Sequence, residues 1–360
     1  MTRLRSALAV LSLTLVLSTA GAITAAAADA LDDVGPELWF LNWDEYINPN
    51  VVADFEAEYG IDVIIETFSD ENEMMSIVQA DTSRYDLVVT SSAVVNEMVD
   101  QRLLAPLDHD NIPNLVNIDP TFLDLPSDPG NRHSVPYDWG TTGLVYNTDC
   151  LTPGPGEDSW GLLFDPRAAG RVAMDTDYSV VIGTMLKYLG YPLNDDDPEH
   201  VAEAIDALVV LRDEHGLELL VWDETLDRLA EGDLCVGQAF NGDAAAYMAE
   251  YDNLGFFVPR EGSDYYIDSL AIPRDARNKR GGELFMDFIL RPDVHARNNE
   301  WTGYAVPNQA SIEGGYVDPA TLEDPVSYPD TADLESWRAF DTDLRSVWNR
   351  AWARFIVEMD

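Results

Sequence analysis

Short apolar runs at residues 38–41, 63–65, 87–89 and 144–146 alternate with segments at 50–59, 72–80 and 94–100. In the latter, apolar residues recur every three or four positions. The first kind reads as strand and the second as amphipathic helix. Their alternation restricts the chain to an α/β architecture, with mainly parallel sheets flanked by helices. Further on, the spacing predicts a helix over 198–214, with Asp197 as N-cap and Pro198 at its first position. Helices are also predicted over 224–231, 282–290 and 292–301, and a strand over 232–239. One or two helices are predicted over 334–358, with Trp337, Leu344, Val347, Trp348 and Phe355 on an apolar face.

At 360 residues the length predicts about two domains. Residues 1–28 stand apart: Arg3 and Arg5 precede an apolar run ending at Leu17, then small residues through Ala28. This is the pattern of a secretory signal peptide, cleaved after Ala27 or Ala28. The apolar run is shorter than the roughly 20 residues a membrane span needs. No Cys stands at the cleavage region to take a lipid anchor. Export to the periplasm is the expectation. There Cys150 and Cys235 have an oxidising setting, and the sequence leaves open whether they pair.

The formal net charge is −45, with 66 acidic residues against 21 Lys and Arg. Such a charge repels nucleic acid and anionic membranes. Attraction of cationic ligands is one reading of it. A solvated acidic surface adapted to high salt is the other, and the stronger, because a ligand needs only a handful of carboxylates. Phosphate-loop, dinucleotide-fingerprint, zinc-helix, paired-cysteine and serine-elbow motifs are all missing from the sequence. His109, His133, His200, His215 and His295 are scattered and read as surface residues, and the acidic run 194–197 reads as a loop capping the next helix. No catalytic residue, metal site or cofactor is expected.

One short stretch does point to chemistry. Asn42-Trp43-Asp44-Glu45-Tyr46 leaves the first predicted strand and puts two aromatics and two carboxylates on the following turn. Ligands of open α/β sheets bind at the carboxyl ends of strands. Aromatic faces attract cations and carboxylates pair with ammonium groups. The turn reads as part of a site for an organic amine, or, with no ligand, as plain core aromatics and surface charges.

A set of motifs in fixed order extends that reading. It comprises the turn at 42–46, Tyr85-Asp86-Leu87-Val88-Val89 with Ser91, and Val135-Pro136-Tyr137-Asp138-Trp139-Gly140-Thr141-Thr142-Gly143. Gly232-Asp233-Leu234-Cys235-Val236, Asp268-Ser269-Leu270-Ala271-Ile272-Pro273 and Leu290-Arg291-Pro292-Asp293-Val294 follow, then Gly303-Tyr304-Ala305-Val306-Pro307-Asn308 and Arg350-Ala351-Trp352. Over about 310 residues the chain resembles the periplasmic spermidine- and putrescine-binding receptors of ABC importers. The resemblance implies a two-lobed periplasmic-binding-protein fold with a hinge. One lobe would take residues 31–142 plus 268–312 and the other 143–267 plus 313–360, closing on a ligand. It also implies a monomer that delivers its ligand to a membrane permease.

The same resemblance supplies a set of ligand-binding residues. Trp43 would wall the alkyl chain, Asp44 or Glu45 would take an ammonium end, and Tyr46 completes the turn. Ser91, Asp177 and Tyr304 match cleft positions. Phe240 and Tyr266 stand where close relatives have wall tryptophans. Asp243 matches a carboxylate of the putrescine branch, and Asp268 the central carboxylate. Val180 replaces a family glutamate, Ala93 a tyrosine of the spermidine branch, and Arg338 lies near a glutamine of that branch. Losing an acid weakens a longer, triply charged ligand more than a diamine, so putrescine is expected ahead of spermidine. Two rivals remain: a hydrolase or lyase using paired carboxylates such as Glu45 with Asp268, and the same receptor fold built for another small amine or amino-acid-like solute.

Overall fold

The computed structural model describes residues 34–330, 334–337 and 342–357. The leader expected over 1–28, and Arg338, lie outside the described residues.

The first third of the chain follows its periodicity. Strand β1 (Glu37–Trp43), helix α1 (Pro49–Tyr59), strand β2 (Asp62–Phe68), helix α2 (Glu71–Ala80), strand β3 (Leu87–Ser91) and helix α3 (Ser92–Asp100) succeed one another. Strand β1 lies parallel to β2 from Glu37↔Asp62 to Trp43↔Phe68, and parallel to β3 on its other edge. Asn48 caps α1 through its side chain and Gly60 ends it in the left-handed region, at φ 70°, where a side chain is costly.

A 14-residue strand β4 (Ser134–Asn147) follows, then β5 (Val172–Met174), α4 (Tyr178–Leu189), α5 (Pro198–His215), β6 (Leu217–Leu219), α6 (Trp222–Glu231), β7 (Val236–Phe240), α7 (Asn241–Glu250) and β8 (Leu254–Phe257). Strand β9 (Ser263–Ala271), α8 (Lys279–Ile289), α9 (Pro292–Thr302), α10 (Gln309–Glu313), α11 (Pro319–Glu323), β10 (Leu334–Ser336) and α12 (Thr342–Val357) complete the described chain. The spatial order is β2-β1-β3-β9-β4-β7-β5-β6, with β8 added to β4 and β10 to β9. Two parallel groups, β2-β1-β3 and β6-β5-β7, are thus joined through an antiparallel centre.

Strand β4 makes the join. Its first half pairs with β9 up to Thr141↔Tyr265; from Thr142↔Phe240 onward it pairs with β7. The buried carboxylate of Asp264 knits this crossing, accepting from the Thr142 backbone N–H at 3.1 Å and the Trp337 indole at 2.9 Å. Each side has its own core. Phe40, Phe55, Phe285 and Phe288 centre one, and Trp160, Trp348 and Phe355 the other. In the second, Cys150 and Cys235 are disulfide-bonded with their Cα atoms 5.6 Å apart.

Three local expectations change. Residues 334–336 form strand β10 beside β9, and Trp337 lies outside the helix that starts at Thr342. Strand β7 begins at Val236 because Gly232, at φ 85°, is the left-handed cap of α6. His295 is fully buried, not at the surface; its Nε2 meets the Tyr137 carbonyl at 2.5 Å, and burial pushes its pKa down to about 4.

Candidate functional site

Strand register builds the site. Ser91 on β3 and Asp138 on β4 both stand opposite Asp268 on β9, from its two sides. Directly opposed residues of antiparallel strands share a face. Ser91, Asp268 and Asp138 therefore form one row across three strands. Tyr46 closes over the row. Its hydroxyl oxygen lies 2.7 Å from Asp138 Oδ1 and 2.8 Å from Asp268 Oδ2. The far end of the row is held by Glu71 in the first turn of α2, which accepts from the Ser91 N–H at 2.8 Å and hydroxyl at 3.1 Å.

Aromatic rings lead from this row toward the other lobe. The Tyr46 and Tyr304 centroids are 5.6 Å apart, Tyr304 and Tyr266 6.3 Å, and Tyr266 and Phe240 5.3 Å, all edge-on. Tyr304, the second ring of the line, donates its hydroxyl to Asp243, in the first turn of α7, at 2.7 Å. Two glycines make room for these rings. A Cβ on Gly140 would strike the Tyr266 hydroxyl and the Asn241 side chain, and one on Gly242 would sit 2.6 Å from the Tyr304 ring. Behind Tyr46, the Tyr137 hydroxyl donates to the Tyr46 carbonyl at 2.6 Å and receives the Asn298 amide at 2.8 Å.

Burial dominates the electrostatics. Asp138 is 0% exposed and Asp268 9% exposed. Burial pushes both carboxyls up, and for Asp138 the neighbouring Asp268 charge adds to it. Burial also raises Asp243 and Glu71 to about 7, against the lowering effect of their hydrogen bonds to Tyr304 and Ser91. The phenols of Tyr46, Tyr266 and Tyr304 are driven up by burial and by the acids around them, so they stay protonated donors. Among the described residues, no ion pair involves Asp138, Asp268, Asp243 or Glu71. A cluster of buried acids with no cation of its own is suited to receive one from outside.

Of the residues expected from the sequence, Tyr46, Ser91, Phe240, Asp243, Tyr266, Asp268 and Tyr304 come together here. Asp177 caps α4, accepting from Ser179 at 2.8 Å, and its charge bears on Glu71. Trp43 packs against Phe68 at 4.2 Å between centroids. Asp44 and Glu45 occupy an exposed turn, Glu45 at φ 52°, and with Trp43, Ile65 and Trp301 they line an open depression. The carboxylate that faces Asp268 is therefore Asp138, not Glu45. Asp138 and Glu71 escaped the sequence reading. Asp138 carried a signal, as an acid in the middle of an apolar run. Glu71 carried none, since an acid in the first turn of a helix is commonplace.

A family model described as bacterial extracellular solute-binding protein matches residues 50–326. This chain belongs to that family. The solute-binding protein is 32% identical over 321 residues to the spermidine/putrescine-binding periplasmic protein of Escherichia coli, covering 89% of this chain and 91% of that protein. It is 31% identical over 357 residues to the putrescine-binding periplasmic protein of the same organism, covering 93% and 95% of the two chains. Among solved structures, the spermidine/putrescine ABC transporter substrate-binding protein of Streptococcus pneumoniae superposes with a TM-score of 0.80 at 31% identity, covering 91% of this chain and all of that one. The two lobes of this solute-binding protein are those of the periplasmic-binding-protein fold, a family of receptors, not enzymes.

Proposed function

We propose that this chain is the substrate-binding receptor of an ABC importer and that its ligand is a short polyamine, putrescine ahead of spermidine. The ligand is held between lobes made of residues 31–142 plus 268–312 and 143–267 plus 313–360, and passed to a membrane permease. The protein works as an exported monomer, in the periplasm, and has no role with nucleic acid. The carrying observation is the line of rings Tyr46, Tyr304, Tyr266 and Phe240, with the buried Asp138 and Asp268 at its Tyr46 end, the half-buried Asp243 on the Tyr304 hydroxyl, and no protein cation among the described residues to pair them. A diamine has the matching form: two ammonium ends joined by apolar carbons. Each aromatic–cation contact contributes about 0.5–2 kcal/mol, and charge-assisted hydrogen bonds add to that. A ligand touching both lobes favours their closure.

Calorimetric titration with putrescine, spermidine and γ-aminobutyrate tests the reading on wild type and Asp268→Asn. Wild type should bind putrescine most tightly and γ-aminobutyrate least. The variant keeps the side-chain size and loses the charge partner, a change worth about 2–5 kcal/mol, or about 30- to several-thousand-fold in affinity. A wild type that ignores both polyamines, or a variant that binds them equally well, overturns it.

A further inference from the structure

We propose that Asp138, Tyr46 and Asp268 hold one exchangeable proton in the ligand-free cleft and that an arriving ammonium group expels it, so that Asp138 makes amine binding an exchange of cation for proton. The inference rests on the receptor reading for its ligand, and on hydrogen counting for its proton.

Tyr46 has a single hydroxyl hydrogen, yet its oxygen lies within hydrogen-bond distance of two carboxyl oxygens, 2.7 Å from Asp138 and 2.8 Å from Asp268. That hydrogen serves one of them. The other contact needs a second hydrogen, and a carboxyl O–H pointing at the Tyr46 oxygen supplies it. With both acids ionised, two lone pairs would face each other at that distance in a buried site. The acids cannot easily draw apart, because Asp138 and Asp268 are opposed in the β4–β9 register. Asp138 Oδ2 is buried and makes no hydrogen bond among the described residues, so Tyr46 is the one side-chain donor that Asp138 has there.

The groups that bear on the pair come from every side. They are Tyr46 from the turn after β1, Tyr137 on β4, Tyr266 on β9, Asp243 from α7 and Glu71 beside Asp268, with Tyr304, after α9, bearing on Tyr46. All are acids or phenols, and each acid holds the shared proton more firmly. The two carboxyls titrate as a unit.

The charges balance. Empty, the seat is one carboxylic acid and one carboxylate, with a net charge of minus one. An ammonium has three N–H donors, enough for both carboxylates. When it enters, the acid's proton leaves to the buffer, and the seat with its cation again carries minus one.

Titrating putrescine in buffers of different ionisation enthalpy counts the protons released. Wild type should release up to about one proton per ligand more than Asp138→Asn, and its affinity should climb with pH up to about tenfold per unit more steeply. In the variant the amide donates to the Tyr46 oxygen while Tyr46 donates to Asp268, so the same bonds form without the extra proton. Equal release by two proteins that both bind putrescine overturns the proposal. The infrared C=O stretch of a protonated carboxyl, compared between ligand-free wild type and variant, decides the proton without any ligand. A band lost in the variant supports it even if putrescine fails to bind, and no difference overturns it even if putrescine binds well.

Discussion

Tyr304, which follows α9, donates its hydroxyl to Asp243 in the first turn of α7 across 2.7 Å, a single hydrogen bond that ties the two halves of the ring-lined cleft. Tyr304→Phe keeps the ring and removes the bond. Asp243 is then a half-buried carboxyl without its donor, which costs about 1–3 kcal/mol. Putrescine affinity should fall about 5- to 100-fold, and small-angle scattering should show a more expanded ligand-free protein. Unchanged affinity and radius would mean that the bond does not couple the halves.

How much of this was legible beforehand depended on where the hydrophobic pattern was clean. Strands β1 and β3 follow it closely as apolar runs buried on both faces, and helices α1 to α3 because each turns one apolar face inward. Strand β4 was visible only at residues 144–146. Its first half mixes Pro136, Asp138, Gly140 and Thr141, residues poor in strand signal, and is held in the sheet by tertiary partners. The Asn241 side chain accepts the Thr141 N–H at 2.8 Å, and Asp264 accepts the Thr142 N–H. Residues 334–336 carry a helical pattern but extend alongside β9, where Glu335 takes the Lys187 ammonium at 2.5 Å. In the site, motif order pointed to Asp268 and Tyr304. Nothing local pointed to Glu71, whose position at the cleft comes only from its bonds to Ser91.

The buried acids make stability depend on pH with a definite sign. Glu71 and Asp243 are each raised by burial to about 7. In the unfolded chain such groups titrate near 4. The folded state therefore binds their protons more tightly, so their contribution is intact below the unfolded value and is lost as pH rises through about 7. The melting temperature of the ligand-free protein should fall from about pH 5 to about pH 8, less steeply in Asp243→Asn. Saturating putrescine should offset the fall. Parallel profiles for wild type and variant would remove Asp243 from this account.

Salt should act in the opposite direction to its usual effect on ion pairs. The Arg345–Glu97 pair, joining α12 to α3 at 2.8 Å, is partly exposed, and pairs of that kind contribute about 0–1 kcal/mol. Against it stands a net charge of −45, whose self-repulsion is relieved as the screening length shrinks from about 10 Å at 0.1 M salt to about 3 Å at 1 M. The melting temperature should rise across that range. A flat or falling midpoint would show that the acidic surface is not a salt adaptation.

Val180 offers a way to move the selectivity. It lies in the first turn of α4, three residues past Asp177, whose charge reaches Glu71. Asp177 is the N-cap and Val180 the third helical residue, so both lie at the N-terminal end of α4. Restoring an acid there with Val180→Glu would add a carboxylate near Asp177, at the Glu71 end of the row. On the proposed reading a diamine already has Asp138, Asp268 and Asp243 to draw on, and a further carboxylate gives it little. A triamine has a third ammonium to satisfy, and a charge-assisted hydrogen bond to it contributes about 1.5–3 kcal/mol. Spermidine affinity should therefore rise about 10- to 100-fold, with putrescine changed by less than about threefold. Calorimetry with both amines on wild type and variant measures it. A gain for putrescine as large as that for spermidine would show that the added charge acts on the whole cleft and not on one end of the ligand.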